Sequence, residues 1–100
     1  MSQTKQLRRI VRLSFFPEKA DAFRQIFRES APLIRNFPGC LSLELWQEAE
    51  AAHVFFTYSI WESAEALENY RRSELFQKTW AKAKQLFNDK PMAWSAYKTS

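Results

Sequence analysis

The sequence predicts an α+β fold in which four strands make one antiparallel sheet with helices packed on one of its faces. Three observations predict it. Four segments alternate apolar and polar residues with a period of two, amphipathic stripes of period three to four lie between them, and the single Gly and most of the four Pro fall at the joins. One hundred residues suit one domain, expected over 1–100. At 46% hydrophobic, with nine Phe and four Trp, the chain can fill a real core.

The first strand is expected over residues 7–16, where Leu7, Val11, Leu13 and Phe15 recur at spacing two with Arg8, Arg12 and Ser14 between them. Pro17 ends it and suits the first turn of a helix, where Glu18 and Asp21 complement the positive end of the helix dipole. Ala22, Phe23, Ile26, Phe27, Leu33, Ile34 and Phe37 then repeat at three and four. Pro32 interrupts this stripe, so a bend near residues 28–32 is expected within one element. The helix should stop at Asn36 or Phe37, ahead of the Pro38-Gly39 turn.

Leu41, Leu43 and Leu45 alternate with Ser42, Glu44 and Trp46 as a second strand, and the polar stretch 47–52 is a hairpin connection. Residues 53–61 form a third strand, dense in Val54, Phe55, Phe56, Tyr58 and Ile60. Ser63 and Ser73 are placed to cap two consecutive helices, the second carrying Phe76, Trp80, Ala83 and Phe87 on one stripe. After a turn at 88–91, residues 92–98 alternate as a last strand. The order strand, helix, strand, strand, helix pair, strand suits the ferredoxin-like βαββαβ arrangement. Val11, Leu13, Phe15, Leu41, Leu43, Leu45, Val54, Phe56 and Ile60 are expected on the helix-covered face. Ile10, Arg12, Trp46, Phe55, Thr57, Ser59 and Trp61 are expected on the reverse, where large aromatics call for cover and predict a homodimer joined through the sheets.

Composition excludes several classes. One cysteine, Cys40, and one histidine, His53, cannot furnish a usual structural zinc site, so no metal is expected. The apolar stretch near the N-terminus is broken by Arg12 and Pro17, too short for a signal peptide, and no run approaches a bilayer span. A soluble, cytoplasmic protein with no membrane partner is expected. The net charge of +4 and pI near 9.5 invite a nucleic-acid partner, but Lys and Arg alternate with Glu and Asp along the chain and predict an ordinary basic surface. The third strand also lacks the basic-glycine-aromatic spacing of RNA-recognition folds.

The opening Ile10 to Phe16 with Pro17, the Ala31-Pro32 and Pro38-Gly39-Cys40-Leu41 stretches, the Tyr58-Ser59-Ile60-Trp61-Glu62-Ser63 junction and Ser73-Glu74-Leu75-Phe76 together resemble the antibiotic biosynthesis monooxygenase (ABM) family of dimeric α/β barrel proteins, over about residues 7–98. The resemblance implies a dimer whose sheets enclose a barrel, with a small hydrophobic pocket between sheet and helices in each subunit. It implies a cofactor-independent monooxygenase acting on a small aromatic, quinol or polyketide-like substrate, with molecular oxygen as co-substrate. A non-catalytic small-ligand-binding barrel is the alternative. Haem-degrading members of the resembling group use an Asn, a Trp and a His; Trp61 matches the second, while Val11 and Trp80 stand at the other two positions, so no haem is expected.

The candidate catalytic residues are Trp61, at a strand-to-helix junction where its indole N–H could meet a bound oxygen, and His53, whose side chain has an unperturbed pKa near neutrality. Candidate substrate contacts are Phe23, Phe27, Phe76 and Trp80 on the helix stripes, Tyr58 for its hydroxyl, and Arg12, a charge on an otherwise apolar strand. Tyr70 offers a second phenol of the same kind. A large aromatic at a regular position is more often core than site, so most of the aromatics in this set are expected to be ordinary core and a few to form pocket wall.

Overall fold

A computed structural model of the protein describes residues 5–100; the first four positions of the expected 1–100 unit lie outside the described residues. The elements are β1 (Leu7–Ser14), a single 3-10 turn (Pro17–Lys19), α1 (Ala20–Arg35), β2 (Cys40–Gln47), β3 (Val54–Trp61), α2 (Ala64–Arg71), α3 (Glu74–Lys84) and β4 (Met92–Tyr97). The strands pair antiparallel in the order β2-β3-β1-β4. This is the ferredoxin-like βαββαβ α+β fold.

The joins follow from local chemistry. Helix α1 runs unbroken through Pro32 as one element. It ends at Asn36, whose side-chain amide donates to the Pro32 carbonyl at 2.9 Å and so satisfies one of the orphaned acceptors of the last turn. Gly39 follows with φ +89°, and a Cβ there would lie 2.5 Å from the Cβ of Ala66. Only glycine fits both demands. The Gly39 carbonyl accepts from the Glu62 backbone N–H at 2.8 Å, tying this turn to the β3–α2 junction. Ser63 and Ser73 cap α2 and α3 as expected, accepting from the backbone N–H groups of Ala66 at 3.0 Å and Phe76 at 3.1 Å.

The buried residues form two clusters at opposite ends of the sheet. One gathers Leu7, Ala31, Ile34, Leu43, Trp61 and Leu67. The other gathers Leu13, Phe15, Ala20, Phe23, Phe55 and Ala83. Phe15, Phe55 and Trp61 are the largest fully buried side chains, and each contributes about 1.5–3 kcal/mol of apolar burial.

The structure corrects the expected faces of the sheet in two places. In β3 the phase is inverted: Leu7, Val11 and Leu13 pair with Trp61, Thr57 and Phe55, so these odd-numbered residues face the helices with Ser59. Phe56, Tyr58 and Ile60 lie on the reverse face with Ile10 and Arg12. A slip of one residue flips every side chain, and in a strand apolar at both parities only the pairing decides which set is covered. In β2, Cys40 pairs with Trp61 but Ser42 pairs with Ile60, leaving Leu41 as the extra residue of a bulge. Leu41 is therefore 47% exposed instead of covered. Leu43 and Leu45 do lie on the covered side, paired with Ser59 and Thr57.

The open face carries Ile10, Phe56, Tyr58 and Ile60 along its middle strands, with Trp46, Met92 and Trp94 exposed on the outer ones. Trp46 stacks on Tyr58 with ring centroids 4.9 Å apart. Among the described residues no helix is long and apolar enough to cross a membrane.

Candidate functional site

Between the two clusters the covered face of the sheet changes character. The ends of β1 and β3 offer Leu7, Trp61, Leu13 and Phe55, while the middle offers Arg9, Val11, Thr57 and Ser59. Val11, Thr57 and Ser59 are too short to fill the distance to the helices. The space left is a cavity of about 360 Å³, floored by these residues and roofed by α1, α2 and α3. That volume falls within the range of small-molecule sites.

Of the residues picked from the sequence, the fold brings Trp61, Phe23, Phe27, Phe76 and Trp80 together around this cavity. Phe76 and Trp80 stack at 5.7 Å with planes 14° apart. Three candidates are placed elsewhere. Arg12 projects from the open face and stands 3.9 Å from Asp89, a partner that accounts for its charge without a ligand. Tyr58 lies on the same open face under Trp46. His53 precedes β3 in the hairpin, its carbonyl accepting from the Phe15 backbone N–H at 3.0 Å, and is not among the cavity-lining residues.

The polar groups at the cavity are few. Trp61 is 1% exposed and its indole N–H donates to Ser59 Oγ at 3.0 Å. Ser30, Thr57, Ser59, Tyr70 and Thr79 are the hydroxyl-bearing residues of the lining. Tyr70 is held by a stack on Trp61 at 4.9 Å and by edge contacts with Phe37 at 5.5 Å and Phe76 at 5.2 Å. Burial, reinforced by the nearby Cys40, pushes the Tyr70 phenol far above its ordinary value. It is a neutral hydrogen-bond donor at every physiological pH.

Two guanidiniums, Arg9 and Arg71, also line the cavity. Burial, and then the charge of Arg71, lower the pKa of Arg9, with Glu68 acting in the opposite sense. Sequence reasoning missed Arg9. The signal was present: it occupies the apolar parity of β1, between Leu7 and Val11, whereas Arg12 belongs to the other parity. Among the described residues no carboxylate and no histidine lines the cavity, and no group of His, Cys, Asp and Glu is arranged to hold a metal.

Comparison with known proteins adds the following. The family model described as antibiotic biosynthesis monooxygenase matches residues 7–82. No curated relative matches the sequence. Among solved structures, a conserved protein from Methanosarcina mazei superposes with TM-score 0.90 at 17% identity, covering 96% of this chain and 95% of that one. A candidate antibiotic biosynthesis monooxygenase from Caulobacter crescentus gives TM-score 0.90 at 20% identity, covering 97% and 92%. PA3566 from Pseudomonas aeruginosa gives 0.87 at 22% identity over 100% of both chains. At these identities the structural likenesses establish the fold.

Proposed function

From the premise that the chain belongs to the antibiotic biosynthesis monooxygenase family, whose model spans most of its length, we propose that it is a cofactor-independent monooxygenase of small electron-rich aromatics. The observation that carries this reading is the cavity itself: about 360 Å³, walled by Phe23, Phe27, Trp61, Phe76 and Trp80, with a few hydroxyls at fixed places. A phenolic ring fills such a space and is kept from water by its walls.

The chemistry asks little of the protein beyond placement. An ionised phenol passes an electron to dioxygen, the two radicals join at a ring carbon as a peroxide anion, and that anion takes a proton back from water to give a hydroperoxide. Loss of water leaves a quinone. One oxygen atom enters the ring, the other departs as water, and the O–H and one C–H of the substrate supply the hydrogens and all four electrons. Ser59, Thr57 and Tyr70 supply hydroxyl donors to the oxygen that carries charge as the phenol ionises. The proton leaves to water at the cavity mouth. Trp61 serves in this scheme as wall, since its N–H is engaged by Ser59.

The open face of the sheet supports a homodimer joined through it. Ile10 lies opposite Tyr58 there, with Phe56 and Ile60 on the diagonals opposite Arg12 and Arg8, and with Trp46, Met92 and Trp94 exposed on the outer strands.

Oxygen uptake by metal-free protein with hydroquinones and naphthols tests the activity. Val11→Phe fills the cavity from its floor and is expected to lower enzyme-dependent uptake at least about tenfold, while His53→Ala, outside the cavity, leaves it unchanged. Uptake that Val11→Phe does not alter would refute the assignment to this cavity. The second reading, a barrel that binds a small aromatic without turning it over, is favoured by one observation, the lack of any carboxylate or histidine among the described lining residues. Binding of the same naphthols without uptake would select it.

A further inference from the structure

Arg9 is the one charged residue on the covered face of β1, and it projects toward the helices from a position flanked in register by Ser59 and Ser95. Its Nη1 donates to Ser95 Oγ at 2.9 Å. Among the described residues that is its one side-chain partner, so most of its five-donor fork is uncommitted. Arg71, at the last turn of α2, lines the same cavity, acts on the charge of Arg9, and reaches Glu68 only at 3.6 Å. Glu68 is shared with Arg72, which approaches it at 3.3 Å. One carboxylate thus serves two guanidiniums, with a third in its field, and the cavity wall itself brings no acid among the described residues.

A partly desolvated guanidinium is costly unless an anion meets it, and its planar fork matches the two oxygens of a carboxylate. Apart from the neutral hydroxyl residues Ser30, Thr57, Ser59, Tyr70 and Thr79, the rest of the lining is aromatic and aliphatic. We infer that the cavity selects aromatic ligands bearing a carboxylate, the ring lying among Phe27, Trp61, Phe76 and Trp80 and the carboxylate held by Arg9 and Arg71. The inference rests on the reading of this cavity as the substrate site and narrows its substrate class. The lowered pKa of Arg9 has the same origin, burial beside a like charge, and an incoming anion would relieve it.

The test compares 2-naphthoate with 2-naphthol, which share the ring and differ in the anion, by calorimetric titration of the intact protein. Naphthoate is expected to bind at least about tenfold tighter, a preference that shrinks as salt is raised. In Arg9→Gln and Arg71→Gln the preference falls toward one while naphthol binding is unchanged. Arg72→Gln, outside the cavity lining, keeps it. Arg9→Lys preserves the charge at the same strand position, so it retains part of the preference and reports on folding if the Gln variant is unstable. Equal binding of the two probes, no binding of naphthoate, or a preference that survives both Gln substitutions would overturn the inference. Oxygen uptake decides the oxygenase reading separately: its absence with a retained naphthoate preference removes the reaction and keeps the ligand class.

Discussion

Trp61 donates its indole N–H to Ser59 Oγ at 3.0 Å, from two residues further along the same strand and on the same covered face. The bond links the packed end of the sheet to the cavity floor, and it leaves the Ser59 hydroxyl hydrogen as the donor available to a ligand. Ser59→Ala strands a buried N–H and is expected to cost about 1–3 kcal/mol. Trp61→Phe is expected to cost a comparable amount, chiefly in lost packing. The double variant should cost less than the two together, by about 0.5 kcal/mol or more. Urea denaturation of the four proteins measures this coupling, and strict additivity would show that the bond contributes nothing.

Gly39→Ala combines a left-handed backbone with a Cβ 2.5 Å from that of Ala66. An expected loss of about 1–3 kcal/mol reflects the backbone strain alone, with the clash added to it. Gly39→Ala/Ala66→Gly removes the clash and keeps the strain, so it should recover part of the stability. A thermal midpoint unchanged in Gly39→Ala would contradict the geometry of this turn.

The open face predicts its own variant. Ile10 sits at the middle of β1, between Tyr58 and Trp94 in register. Ile10→Asp places a charge at the middle of the proposed dimer face and is expected to shift sedimentation at micromolar concentration from dimer to monomer with far-UV circular dichroism preserved. A wild-type monomer under those conditions would remove the dimer outright.

Alkaline pH acts through Tyr70. Its folded-state pKa lies above the ordinary 10.0, because burial disfavours the phenolate. The unfolded chain releases that proton first, so the group's contribution is intact below its ordinary value and is lost as pH rises beyond it. The slope is about 1.4 kcal/mol per pH unit for one group. Cys40, raised by burial from 9.0, works in the same direction. Tyr70→Phe should flatten the fall in the urea midpoint above pH 10, and an identical fall in the variant would acquit Tyr70.

Much of this architecture is legible in the residues. The alternation of Leu7, Val11, Leu13 and Phe15, the caps Ser63 and Ser73, and the Pro38-Gly39 stop each act locally, so short windows reveal them. What stayed hidden depends on pairing between distant segments. β3 is apolar at both parities, and its face is decided by lying against β1 with Thr57 opposite Val11. The bulge that expels Leu41 exists only in the β2–β3 register. The cavity was partly foreseeable: its aromatic wall follows from helix stripes, whereas Arg9 was overshadowed by the equally conspicuous Arg12, and only the sheet shows which of them turns inward.

The gap between the two packed ends of the sheet also has a volumetric meaning. A hollow of about 360 Å³ is space that the folded chain encloses imperfectly packed and the unfolded chain surrenders to solvent. Compression therefore favours unfolding. A ligand that occupies the hollow replaces empty space with matter, so it hardens the protein against hydrostatic pressure as well as against heat.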